Sequence, residues 1–244
     1  MFLFSKYFLN PNIYYRARKQ ALELARSRGI MIITLTEVFG TKVVEALKTV
    51  RNIDITNLKP DKVRQVLGKL SDSGQDGKFG SLKGILFNFL ISTVFSDYGF
   101  RPIIGKEYRH PEKKEQECEC DIVITDNENI IICEVKGRQK SNKIALGKSE
   151  NEKDSVKRFF ERTYNIVKSN ERKNVMPIFI TSGDFADKAL EYLEKRNNGK
   201  KTQTFLAEYN FPKKIYYNHN DLLEFFSNKE KYTEHRKILK EFFS

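Results

Sequence analysis

Two apolar runs, ECDIVIT (residues 119–125) and NIIICEVKG (residues 129–137), constrain this chain more than any other feature. Both are rich in β-branched residues and are joined by the turn-like DNEN, the pattern of a β-hairpin. Alternate residues of a strand share a face. Asp121, Val123 and Thr125 therefore fall on one face with Glu119, and Cys120, Ile122 and Ile124 on the other. In the second run Ile132, Glu134 and Lys136 share a face. Pairing through the turn then projects Asp121 and Glu134 from the same side of the sheet. Two close carboxylates repel and are costly to desolvate, and a divalent cation between them relieves both costs. Hard oxygen donors of this kind suit Mg²⁺ or Mn²⁺. Lys136 lies two residues along the same face, where an ammonium could meet a phosphate. The bland alternative is an exposed hairpin whose charges face water.

The surrounding pattern sets this hairpin in an α/β arrangement. SLKGILFNFLISTVFSDYG reads as a buried helix ending at Gly99, and RPIIGKEYRH as a strand. After the hairpin, DSVKRFFERTYNIVKSN reads as an amphipathic helix with Val156, Phe159, Phe160, Thr163 and Val167 on one side. NVMPIFITSG is an apolar strand, DFADKALEYLEKRNNG a helix, and KIYYNHNDLLEFF a last strand and helix. The order is helix, three strands, helix, strand, helix: a mixed sheet flanked by helices. The chain divides most naturally near SDSGQDGKFG, into a mainly helical region 1–75 and a domain 76–244. Before the split, IYYRARKQALELARSRG and TEVFGTKVVEALKTV read as helices and GIMIITL as a short strand. KPDKVRQVLGKLSDSG places Val63, Val66, Leu67 and Leu70 on one helical face, with Lys62, Arg64 and Lys69 off it. Residues 36–74 thus read either as a helix-turn-helix-like or winged-helix-like module or as a small helical cap.

The short motif resembles the PD-(D/E)XK nuclease superfamily, carried by CD at 120–121 and EVK at 134–136 within the helix-strand pattern of residues 80–180. The resemblance implies a restriction-endonuclease-like α-β-β-β-α-β core and Mg²⁺-dependent hydrolysis of nucleic acid, as in archaeal Holliday-junction resolvases. It also implies that Asp121, Glu134 and the Val135 backbone carbonyl hold the metal, and that Lys136 positions or activates the attacking water. Cys120 stands where the family motif has Pro. Asn88, on a small polar stripe with Ser81, Gly84 and Ser92, stands where many members have Glu. Glu119 is a candidate replacement acid, and Glu107 a weaker one.

Composition agrees with a polyanionic partner. Lys and Arg number 44 against 32 Asp and Glu, a formal net charge of +12. Between Lys136 and Lys173 there are twelve Lys or Arg and five Asp or Glu. The expected phosphate contacts are Arg138, Lys140, Lys143, Lys157, Arg158 and Arg162, with Lys62 and Arg64 from the helical region. The expected partner is DNA, with a second copy of the chain (a homodimer) as a further candidate. No apolar run has the length of a membrane span, and the opening MFLFSKYFLNPN lacks the pattern of a signal peptide, so a cytoplasmic location is expected. Cys118, Cys120 and Cys133 read as reduced, and His110, His219 and His235 have no zinc-ligand spacing. The competing reading is a DNA-binding regulator that keeps the nuclease fold as scaffold. An RNA-processing nuclease is a third.

Overall fold

The computed structural model describes residues 59–72, 80–197 and 214–244, with Thr41, Val44, Glu45 and Lys48 upstream. The expected helices before residue 41 and the strand GIMIITL lie outside the described residues, as does most of the expected domain boundary. The described elements are α1 (Pro60–Ser71), α2 (Gly80–Ser96), β1 (Ile103–Arg109), β2 (Glu117–Thr125), β3 (Asn129–Lys136) and β4 (Lys143–Ile144). A π-helix (Arg158–Thr163) runs into α3 (Tyr164–Asn170), followed by β5 (Asn174–Thr181), β6 (Asp184–Phe185) and α4 (Asp187–Asn197). The chain ends with β7 (Tyr216–Tyr217), α5 (His219–Ser227) and α6 (Thr233–Phe242).

This is an α/β protein with a mixed five-stranded sheet in the order β1-β2-β3-β5-β7. β1, β2 and β3 form an antiparallel meander, and β5 joins β3 in parallel. The tight turn after β2 is held by Asp126, whose Oδ1 accepts the N–H groups of Glu128 at 2.8 Å and Asn129 at 2.6 Å. Such a carboxylate turn is the local reason the hairpin closes where it does.

Helices cover both faces. On one, α2 is apolar nearly all round and is accordingly buried. Its Leu86, Phe87, Leu90, Val94 and Phe95 pack with Ile122, Ile131, Cys133, Val135, Ile178 and Ile180 of the sheet. Val63, Val66, Leu67 and Leu70 of α1 join the same cluster, together with residues of α5 and α6. On the other face Phe159, Phe160, Ile166 and Val167 cover Val123, Ile130, Ile132 and Phe179. Each fully buried large apolar side chain contributes about 1.5–3 kcal/mol. Among the described residues no helix is long and apolar enough to cross a membrane.

Candidate active site

The site is a fork in the sheet. β2 and β3 are paired from Thr125↔Ile130 to Ile122↔Cys133, and the next position brings Asp121 beside Glu134. There the two strands part. β3 stays paired to β5 as far as Lys136↔Thr181. The free Val135 N–H donates instead to Asp121 Oδ2 at 2.8 Å. This bond fixes the Asp121 carboxylate at the mouth of the fork.

Strict alternation along β2 fails at this point. Cys118 and Cys120 pack with Val123 beneath the π-helix, whereas Ile122 and Ile124 pack against α2. Simple alternation would place Cys120 with Ile122 and Ile124. The neighbouring strand explains the change. Gly105, between the pairs Ile104↔Ile122 and Lys106↔Cys120, has φ +67, a left-handed value open to glycine. The strand pair turns there, and Asp121 sits at the turn.

Three carboxylates surround one ammonium at the fork. Lys136 Nζ lies 2.7 Å from Glu134 Oε1, 3.3 Å from Asp154 Oδ1 and 3.9 Å from Asp121 Oδ2. Burial, then the Asp121 charge, pushes the Glu134 carboxyl up to about 7, with Lys136 pulling the other way. Burial also raises Asp121, opposed by Lys136 and by the Val135 N–H. For Lys136, burial works against the charge, but Glu134 and Asp121 outweigh it and hold the ammonium protonated. The cluster keeps an excess of negative charge in partly buried surroundings, a strained state unless a cation joins it.

Two clefts meet here. The larger, about 720 Å³, runs along α2 and is lined by Ser81, Gly84, Asn88, Val135, Arg138 and Gln139 together with Asp121, Lys136 and Asp154. The smaller, about 230 Å³, opens toward the π-helix and includes Cys118, Glu119, Glu134, Lys153 and Arg158 beside the same three charged residues. Asn88 faces the site as the polar stripe implies. With its amide turned to the orientation that satisfies both ends, the nitrogen donates to the carbonyl oxygens of Gly84 at 3.1 Å and Val135 at 3.3 Å. The close approach of α2 depends on Gly137, where an added Cβ would lie 2.7 Å from Phe87 Cβ and 3.1 Å from Gly84 Cα.

The remaining expected residues are spread more widely. Arg138 and Arg158 line the clefts, and Arg162 donates to Asn151 Oδ1 at 2.7 Å. Lys157 Nζ reaches the Lys148 carbonyl at 3.5 Å, and Lys143 pairs with Asp187 at 3.6 Å. Lys140 is exposed, and its N–H donates to the Phe243 carbonyl at 3.0 Å. Lys62 is exposed on α1. Arg64 is tied to α6 through Glu241 at 2.9 Å and Glu234 at 3.3 Å. Glu107 is exposed on β1 opposite Glu119.

Sequence reasoning missed Asp154 as a site residue: it placed it at the head of the amphipathic helix and counted it as one acid in a basic segment, whereas it lies in the loop before that helix. It also missed Thr181 and Ser182. The Thr181 hydroxyl donates to the Lys136 carbonyl at 3.1 Å, and Ser182 Oγ accepts the Arg138 N–H at 2.7 Å. These bonds hold the backbone on which Lys136 sits.

The residues present fit a divalent cation in charge and donor type. Asp121, Glu134 and the Val135 carbonyl offer hard oxygens. Among the described residues no three His, Cys, Asp or Glu side chains converge to hold a metal by themselves. Water or a substrate oxygen would therefore complete the coordination, as Mg²⁺ commonly requires.

No family model matches the chain, and no curated protein matches it. The chain is similar to a solved structure described as a protein of unknown function, AF1548, at 14% identity and TM-score 0.36. That likeness covers 47% of this chain and 54% of the other, so this chain spans about half the length of the protein it matches.

Proposed function

We propose that the protein is a divalent-metal-dependent nuclease with a restriction-endonuclease-like core of the PD-(D/E)XK type, hydrolysing phosphodiester bonds of DNA, with branched or junction DNA as the candidate substrate. The observation that carries this reading is the fork that sets Asp121, Glu134 and Lys136 together with more negative than positive charge. Asp121, Glu134 and the Val135 carbonyl would hold Mg²⁺ or Mn²⁺. The cation would supply Lewis-acid polarisation of a phosphoryl oxygen. Lys136 stands at the junction of the two clefts, placed to donate to the phosphate and to orient a water. Arg138 on one side, and Lys153 and Arg158 on the other, supply phosphate affinity without base readout.

One observation favours a second reading. Asn88 is uncharged where the resemblance leads one to expect an acid, and it already contacts the Val135 carbonyl. A DNA-binding protein that retains the fold as scaffold is consistent with that. Its reading helix is less well supported at Arg64, which is engaged with α6.

A panel of linear and branched DNAs and matched RNAs, incubated with Mg²⁺ and with EDTA, separates the readings. Cleavage by wild type only with metal, lost in Glu134→Gln, is the expected result. DNA binding without cleavage of any substrate, in Mg²⁺ or Mn²⁺, overturns the catalytic reading.

A further inference from the structure

We infer that Asp154 is a positioning residue: it keeps the Lys136 ammonium at the fork once a divalent cation has taken Glu134 and Asp121. The inference rests on the metal-dependent reading above. Lys136 has three carboxylate partners, and two of them are the proposed metal ligands. A cation repels the ammonium and competes with it for those oxygens. The partner left to Lys136 is Asp154, at 3.3 Å. Its second oxygen faces Arg138 at 3.9 Å, so one carboxylate offsets two cations of the larger cleft.

The chain holds Asp154 at this place by a dedicated loop. Its φ of +56 is the one positive value at a non-glycine position among the described residues. Asp is among the few residues that tolerate this conformation. On one side, the buried Ser155 accepts the Arg158 N–H at 3.2 Å and donates to the Glu152 carbonyl at 2.7 Å. On the other, Glu152 accepts the Lys148 N–H at 2.8 Å. Gly147 backs directly on Ser155, where a Cβ would come within 2.5 Å of the hydroxyl oxygen. The N–H groups of Val156 and Lys157 bond to the carbonyls of Ala145 and Leu146 at 3.1 and 3.0 Å. The carboxylate is delivered to Lys136 by a cross-braced loop, with Asp154 itself still open to solvent.

Lysine acylation by a water-soluble ester, read by peptide mass spectrometry, tests this on wild type and Asp154→Asn in Mn²⁺ and in EDTA. Asn tolerates the same backbone angle, so the variant removes charge and keeps the loop. In EDTA both proteins protect Lys136 through Glu134. In Mn²⁺ wild type stays protected, whereas Asp154→Asn labels Lys136 about tenfold faster, the loss of one charge-assisted bond. On DNA the variant loses kcat about tenfold with KM little changed, because Lys136 acts in the reaction more than in binding. Equal labelling of Lys136 in Mn²⁺ overturns the inference. So does a raised KM with unchanged kcat, or a loss of Mn²⁺ affinity as large as that of Glu134→Gln, which would make Asp154 a ligand. Wild type that binds no Mn²⁺ overturns this inference and the metal-dependent reading together. Wild type that binds Mn²⁺ and labels as expected but cleaves nothing overturns the nuclease reading alone.

Discussion

Two of the places where the protein withdraws polar groups from water are treated in opposite ways. Between α2 and α6, His235 is almost fully buried and its Nε2 lies 2.7 Å from Thr93 Oγ1. Thr93 donates its own proton to the Leu90 carbonyl at 2.7 Å, so the imidazole must be the donor to the hydroxyl. That assigns the neutral Nε2–H tautomer and leaves Nδ1 unpartnered beneath the aromatic side chains of Phe226 and Tyr232. Burial pushes this imidazole down to about 4. At the fork, three carboxylates crowd one ammonium and burial pushes Glu134 up to about 7. The helical layer is neutral, at the cost of leaving His235 Nδ1 and the Tyr232 hydroxyl without partners. The fork crowds Asp121, Glu134 and Asp154 around Lys136, with Arg138 as the other cation paired to Asp154. A neutral imidazole packed among aromatic rings and a carboxylate cluster at the meeting of two clefts differ in their surroundings.

The largest expected effect comes from forcing the two regions apart. Gly137→Ala puts a methyl against Phe87 on α2, the helix that also carries Thr93. Overpacking of this kind costs about 1–3 kcal/mol, and urea unfolding should show a midpoint lowered accordingly. An unchanged midpoint would mean that α2 can yield at Gly84 and that the close approach is not required.

The next effect separates the regions by pH. A folded carboxyl at about 7, against 4.5 for its ordinary value, releases a proton on unfolding between those limits. Stability contributed by Glu134 therefore falls as pH rises through that window, by at most about 3 kcal/mol. Melting temperatures at pH 5 and pH 8 should show the fall as a difference between wild type and Glu134→Gln, in which the opposite contribution of His235 cancels, and Mg²⁺ should reduce that difference.

His235 works in the opposite direction. The unfolded imidazole takes up a proton below about 6.5 and the folded one only near 4, so stability falls as pH drops between them. The expected loss is about 2 kcal/mol on going from pH 7 to pH 4.5, and His235→Leu should remove that slope in acid titrations followed by circular dichroism. If wild type shows no acid slope that the variant lacks, the neutral assignment of the pair is wrong.

The smallest effects concern the two sets of basic residues. Arg64→Ala breaks exposed ion pairs and should leave melting and DNA affinity nearly unchanged. Arg158→Ala removes a cation from the smaller cleft and should weaken DNA binding several-fold with a shallower salt dependence. Fluorescence anisotropy over a salt series compares them, and the reverse order would move the nucleic acid onto α1.

Local features were the readable ones. The hairpin, its Asp126 turn and the buried helix α2 each follow from a few consecutive residues, and Asp121, Glu134, Lys136 and Asn88 do meet at one place. The slip at Asp121 was hidden, because it depends on the left-handed Gly105 of another strand. The helix after the hairpin buries Val156, Phe159, Phe160, Thr163 and Val167 as its pattern suggests, but it winds as a π-helix over Arg158–Thr163. Apolar periodicity does not report that change of pitch. Asp154 read as the first residue of that helix, whereas it lies in the loop before it at a positive φ that apolar periodicity does not report. Arg64 read as a free cation because its partners lie on α6, at the far end of the sequence.

The order of strands also sets an order in time. Asp121 and Val135 meet across 14 positions, whereas the bond from Thr181 to the Lys136 carbonyl spans 45. Short loops close sooner and at less entropic cost than long ones. The hairpin can thus bring its two acids together before the crossover delivers Asp154 and seats β5 beside β3. The repulsion arises early, eased by Lys136 on the same hairpin, and Asp154 adds to it late. Refolding speed, and not only final stability, is then expected to respond to pH and to divalent cations, so the chemistry of the fork is imprinted on the route by which the chain reaches it.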